Sequence, residues 1–99
     1  MMVGVADPDP RVDLVWGPYA RALGINLQRA RAERGLSQEE VARQAGISGY
    51  TYYKYERGRS RPDTPMNPQL RALLALCQVL EVSLEDLLPP DCPDLRAGA

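Results

Sequence analysis

Residues 35–58 read GLSQEEVARQAGISGYTYYKYERG, and the polar punctuation inside that run decides how it folds. Ser37 followed three positions later by Glu40 is a capping box, which opens a helix. Gly46 closes that helix after Val41, Ala42 and Ala45, and Ser48 offers a fresh N-cap two residues on. A second helix then runs from Gly49 to Arg57 and stops at Gly58. Two short helices joined by a glycine turn make a helix-turn-helix unit. Ala42 is small because the second helix crosses close over the first, and Gly46 supplies the left-handed turn that other residues adopt at a cost. Val41, Ala45, Ile47, Tyr52 and Tyr55 are the apolar contacts expected between these helices and their neighbours.

The second helix holds four of the chain's five tyrosines, in a protein with one tryptophan and no phenylalanine. An aggregation-prone strand, a core element and a nucleic-acid contact surface are three readings of that concentration. Tyrosine favours strands, but helix signals bracket the run on both sides. On a helix, Tyr52 and Tyr55 share one face, while Tyr50, Tyr53, Lys54 and Arg57 share another. The run divides into an inward aromatic pair and an outward tyrosine, lysine and arginine face.

Working outward, Pro18 at a first helical turn and Gly35 as a stop predict a helix over 18–34, with Leu23, Leu27 and Ala30 on its buried face. Residues 1–17, which contain Asp-Pro-Asp-Pro, read as an arm, ordered only if Val12, Leu14, Val15 or Trp16 docks. After Gly58 comes a basic, proline-broken loop to Asn67. Asn67-Pro68 opens a fourth helix reaching about Glu81, with Leu70, Leu73, Leu74, Cys77 and Leu80 as its buried stripe. Ser83 caps a short fifth helix that Pro89-Pro90 ends, and residues 90–99 read as a tail. The expected fold is all-α, with a single domain over 18–89.

Composition narrows the function. The 99 residues are 44% hydrophobic and 25% charged, as in an ordinary globular domain. No apolar run approaches the ~20 residues that span a bilayer, and the acidic N-terminus is unlike a signal peptide, so a cytoplasmic setting is expected. Two distant cysteines and no histidine argue against a disulfide framework, a zinc site or a histidine-based triad. No cofactor, metal or enzymatic activity is expected. Glu39, Glu40, Glu85 and Asp86 read as first-turn helix charges rather than acid/base pairs. The net charge of −1 hides an asymmetry. Residues 1–20 set Arg11 against Asp7, Asp9 and Asp13, a net of −2. Residues 72–99 set Arg96 against five carboxylates, a net of −4, so residues 21–71 carry +5. A basic middle between acidic ends favours an anionic partner.

The stretch LSQEEVARQAGISGYTYYKYERGR resembles the lambda repressor/Cro-like, xenobiotic-response-element type of helix-turn-helix family. The family's Gly-Leu-Ser-Gln-Glu-Glu-Leu-Ala is matched by Gly35 to Ala42, its Gly-Val-Ser by Gly46-Ile47-Ser48, and its Glu-Arg-Gly by Glu56-Arg57-Gly58. Its closing Leu-Gly-Val-Ser-Leu-Asp-Glu-Leu is echoed by residues 80–87, so the likeness covers about residues 22–88.

That resemblance implies a compact five-helix domain whose third helix, about residues 49–57, enters the major groove of double-stranded DNA. The implied DNA-facing positions are Ser48, Gly49, Tyr50, Thr51, Tyr53 and Lys54, with Gln38 on phosphate and Arg57, Arg59 and Arg61 as phosphate clamps. It also implies a structural ion pair between Arg31 and Glu56. Gly49 stands where relatives carry a polar side chain, Tyr52 replaces an aliphatic residue that the small Ala30 makes room for, and the 59–67 loop is longer than usual. The expected function is a dimeric, sequence-specific transcriptional regulator. The dimer contact is expected on helices four and five with the arm. The alternative keeps the fold as an antitoxin or interaction module that binds a small protein partner.

Overall fold

A computed structural model describes residues 10–97. Serine caps open three of its helices. Ser37 Oγ accepts from the Glu40 amide while Glu40 answers on the Ser37 amide, giving α2 (Gln38–Ala45). Ser48 caps α3 (Gly49–Arg57) by accepting from the Thr51 amide, and Ser83 caps α5 (Leu84–Leu87) by accepting from the Asp86 amide. Gly46, at φ 73°, turns the chain from α2 to α3. The helix-turn-helix boundaries match the sequence reading at every residue.

Packing fixes the rest of the domain. α1 (Pro10–Arg34) and α4 (Leu70–Leu80) close around the pair, with Leu23, Leu27, Val41, Tyr52, Met66, Leu76 and Leu80 almost fully buried. Ala30 and Tyr52 are both buried in this core. Two glycines set the approach of α1 to α3. A β-carbon at Gly24 would lie 2.5 Å from the Glu56 carbonyl oxygen. One at Gly58, where φ is +77°, would lie 2.7 Å from the Arg21 α-carbon. Cys77 is buried and Cys92 exposed, both as free thiols. Among the described residues no helix is long and apolar enough to cross a membrane.

Three expectations need correction. The arm ends early, because α1 begins at Pro10 and carries Pro18 in its interior; residues 1–9 of the expected arm lie outside the described residues. An interior proline costs about 3 kcal/mol. Docking offsets it: the Trp16 indole donates to the Met66 carbonyl at 2.8 Å and the Tyr19 hydroxyl to the Pro89 carbonyl at 2.9 Å. The two rings also pack on each other, with centroids 5.5 Å apart.

Secondly, the all-α expectation misses a small antiparallel ribbon within the 59–67 loop. β1 (Arg59–Arg61) pairs with β2 (Thr64–Pro65), joining Arg59 to Pro65 and Arg61 to Thr64 with an irregularity between. Pro62 presets the turn between them, and the Met66 amide closes the base on the Gly58 carbonyl at 2.9 Å. Thirdly, α4 starts at Leu70 behind Gln69, not at Asn67-Pro68. Its buried side is Ala72, Leu73, Leu76, Cys77 and Leu80, whereas Leu70 and Leu74 face out. Arg71 and Gln78 are exposed beside them, so the polar positions rather than the spacing of the leucines carry the phase of this helix. The expected tail, 90–99, has no helix or strand as far as Ala97.

Candidate nucleic-acid interface

The two faces of α3 carry different chemistry. Inward, Tyr52 is fully buried, and Tyr55 and Glu56 nearly so. Glu56 is the polar hub beneath the helix. Arg31 Nε donates to its Oε2 at 2.6 Å, and Arg31 Nη2 to its Oε1 at 3.1 Å. Gln38 Nε2 reaches the same Oε1 at 2.7 Å. Arg31 Nη1 also ties down the Leu36 carbonyl, so one guanidinium joins α1, the α1–α2 link and α3. Burial alone would raise the Glu56 pKa, but the hydrogen bonds, from Arg31 first, hold the carboxyl below the usual glutamate range. The Arg31 pKa rises in turn through its bonds to Glu56. The Tyr52 hydroxyl lies near this pair but makes no hydrogen bond of regular geometry, and burial pushes its pKa well up.

Outward, Tyr50 is 67% exposed and Tyr53 41% exposed. Lys54 Nζ stands 4.7 Å above the centre of the Tyr50 ring, and the Arg57 guanidinium 5.4 Å from that of Tyr53. Arg57 Nη1 also donates to the Tyr53 hydroxyl at 2.6 Å. These contacts hold two cations against aromatic faces without neutralising them. Each ring thus braces a positive charge at the surface.

The other candidate positions fall into distinct local roles. Ser48 Oγ accepts from the Thr51 amide and donates to Thr51 Oγ1 at 2.8 Å, so its hydroxyl serves the cap. Thr51, receiving that bond, keeps its own hydroxyl hydrogen to offer. Gly49 borders open space: beyond its chain neighbours and the helix's own backbone, no described atom lies within 4 Å of where a β-carbon would sit. Gln38 spends its side-chain amide on Glu56 and is half-buried. Arg59 and Arg61 are exposed on β1. They line, with Ser60 and Pro62, the far side of a cleft of about 210 Å³ whose near side is the outward face of α3. Ser60 and Pro62 were not singled out in the sequence, since only the ribbon turns them toward α3. Among the described residues, none of Lys54, Arg57, Arg59 and Arg61 forms an ion pair with a carboxylate.

The chain's relatives share this architecture. Residues 22–89 match the model of a family described as a helix-turn-helix domain. Sinorhizobium fredii y4dJ, named an uncharacterized HTH-type transcriptional regulator, is 39% identical over 70 residues, which cover 71% of this chain and 83% of that one. YonR of Bacillus subtilis, named as an SPbeta prophage-derived regulator of the same type, is 37% identical over 65 residues, 66% of this chain and 55% of its own. YqaE of Bacillus subtilis, also HTH-type, is 33% identical over 63 residues, 64% and 49% respectively, so this chain spans about half the length of the two Bacillus proteins. Among solved structures, the restriction-modification controller protein C.AhdI from Aeromonas hydrophila superposes with a TM-score of 0.61 at 28% identity, covering 70% of this chain and 96% of that one. The hypothetical transcription factor NHTF from Neisseria does so at the same TM-score and identity, covering 90% and 88%. With its capped α2, its left-handed Gly46 and its Arg31–Glu56 pair, the chain belongs to the helix-turn-helix domain family, in its lambda repressor/Cro-like form.

Proposed function

We propose that the protein is a transcriptional regulator that binds specific sequences in double-stranded DNA, with α3 in the major groove. The observation that carries this reading is the outward face of α3, where Tyr50, Tyr53, Lys54 and Arg57 stand exposed or half-exposed while Tyr52, Tyr55 and Glu56 anchor the helix from behind. The regulator names of its relatives support it. Lys54 donates to guanine O6 or N7, Thr51 reaches a base edge or a thymine methyl, and Tyr50 reaches a base or phosphate. With no side chain at Gly49, the helix backbone approaches the groove closely there. Arg57, Arg59 and Arg61 meet phosphates, and Gln38 meets them through its backbone amide at the start of α2.

One short helix reads few base pairs, so two copies act together on a two-fold site. Leu70 and Leu74, one turn apart and exposed on α4, supply an apolar surface for that pairing. Selection of bound sequences from random duplexes, followed by a salt titration, tests the reading. A defined consensus with affinity falling steeply in salt supports it; binding without sequence preference refutes it.

A further inference from the structure

Tyr53 and Arg57 stand one turn apart on the outward face of α3 and form a single polar unit. Arg57 Nη1 donates to the Tyr53 hydroxyl oxygen at 2.6 Å, and the guanidinium carbon lies 5.4 Å from the centre of the Tyr53 ring. The donation runs one way, because a guanidinium carries five N–H groups and no acceptor. The Tyr53 oxygen is therefore the acceptor, and its own hydrogen remains to be offered elsewhere. Both side chains line the cleft between α3 and the ribbon, whose lining holds Lys54, Arg59 and Arg61 and no carboxylate.

A phenol that accepts from a cation is a stronger donor for it, since hydrogen bonds in a chain polarise one another. The same bond restrains the arginine, which otherwise surrenders much of its rotamer freedom on binding. Four guanidinium N–H groups are left beyond the one spent on Tyr53. A fixed positive charge with spare N–H groups, beside a polarised hydroxyl, suits an anion with several acceptor oxygens, which is the chemistry of phosphate. The place on the helix agrees. In a helix-turn-helix the N-terminal residues of the second helix reach base edges, whereas Tyr53 is midway along α3 and Arg57 is its last residue.

We propose that the Tyr53 hydroxyl donates to a DNA backbone phosphate, the same one that Arg57 contacts, and that Arg57 holds and polarises the hydroxyl for this bond. Tyr53 thereby grips the backbone and reads no base. This rests on the placement of α3 in the major groove.

The test uses the full chain and the duplexes it selects. Tyr53→Phe keeps the ring and removes the hydroxyl at a position 41% exposed, so the melting temperature stays at the wild-type value. The expected result is affinity about tenfold weaker for all sequences alike. The slope of log affinity against log salt stays unchanged, because the lost donor is neutral, whereas Arg57→Ala lowers it by about one. Methylphosphonates replacing the phosphates one at a time identify a single linkage at which both substitutions lose their effect. 4-Aminophenylalanine at position 53, a donor that accepts poorly from Arg57, recovers part of the loss. Unchanged affinity in Tyr53→Phe, a loss confined to one base-pair position, different linkages for the two variants, or no recovery with the amino group would overturn the inference while the α3 reading stands. A wild type that prefers no sequence overturns both.

Discussion

Gly24 of α1 lies directly beneath Glu56 of α3: a β-carbon on the one would stand 2.5 Å from the carbonyl oxygen of the other, and 2.8 Å from that of Tyr55. The obstacles are backbone atoms, which move only if the whole of α3 moves. Gln28 fixes the same contact by donating to the Glu56 carbonyl at 2.9 Å. The glycine therefore sets how deeply α3 seats on α1, and through that how far its outer face projects.

Gly24→Ala should destabilise the fold by about 1–3 kcal/mol, the range for overpacking a filled site. Alanine ordinarily gains up to about 1 kcal/mol over glycine inside a helix, so even a neutral outcome would register the clash. Urea unfolding measures the balance. A variant more stable than the wild type would show that the contact is loose.

The Arg31–Glu56 pair predicts acid sensitivity of a definite sign. A carboxyl whose folded pKa is lowered contributes stability that is complete above its unfolded value and is lost as pH falls through the folded one. The loss should therefore begin near the ordinary glutamate pKa of about 4.3 and continue below it. Glu56→Gln should remove this component, giving a lower melting temperature at pH 7 and a flatter decline toward pH 3. Arg31→Ala, which strands the buried carboxylate, should cost about 3–5 kcal/mol at neutral pH. Melting temperatures across pH decide it; parallel curves for wild type and Glu56→Gln would assign the acid sensitivity to other carboxylates.

How much of this was legible beforehand depended on whether a feature was written locally. Ser37, Glu40, Gly46, Ser48 and Gly58 act within one turn of themselves, so both helices of the motif were readable to the residue. The inward and outward tyrosines followed from helical periodicity alone. The start of α1 was not legible, because what carries it past Pro18 is a bond from Trp16 to a carbonyl fifty positions away. The ribbon was equally hidden: strands of three and two residues are too short to display alternation. Gln38 has the right type for a phosphate contact, yet its amide turns to Glu56, a preference visible only once α2 and α3 are packed. Gly24 left no trace beyond its identity.

Trp16→Phe should separate docking from ring burial. Phenylalanine keeps most of the apolar surface but leaves the Met66 carbonyl, in a residue that is 1% exposed, without its donor. Loss of one hydrogen bond with a stranded partner costs about 1–3 kcal/mol. The effect should concentrate at the ribbon, where Met66 also donates its amide to Gly58. Hydrogen exchange should quicken at the Met66 amide while the α4 amides keep their protection. Uniform acceleration across the domain would mean that the ribbon has no stability of its own to lose.

Lys54 and Arg59 should fail in different ways. Lys54 lies on the outward face of α3, held over the Tyr50 ring at 4.7 Å. Lys54→Ala should weaken the selected site by about 1–3 kcal/mol and relax the preference at one base-pair position. Arg59, exposed at the base of the ribbon, lines the opposite wall of the cleft. Arg59→Ala should lower affinity for all sequences alike and reduce the slope of log affinity against log salt by about one. Equilibrium titrations of both variants, on the selected duplex and on a scrambled one at several salt concentrations, separate the two behaviours. If Lys54→Ala proves uniform across sequences and Arg59→Ala selective, the reading of bases passes from α3 to the ribbon, and the roles given to the two walls of the cleft must be exchanged.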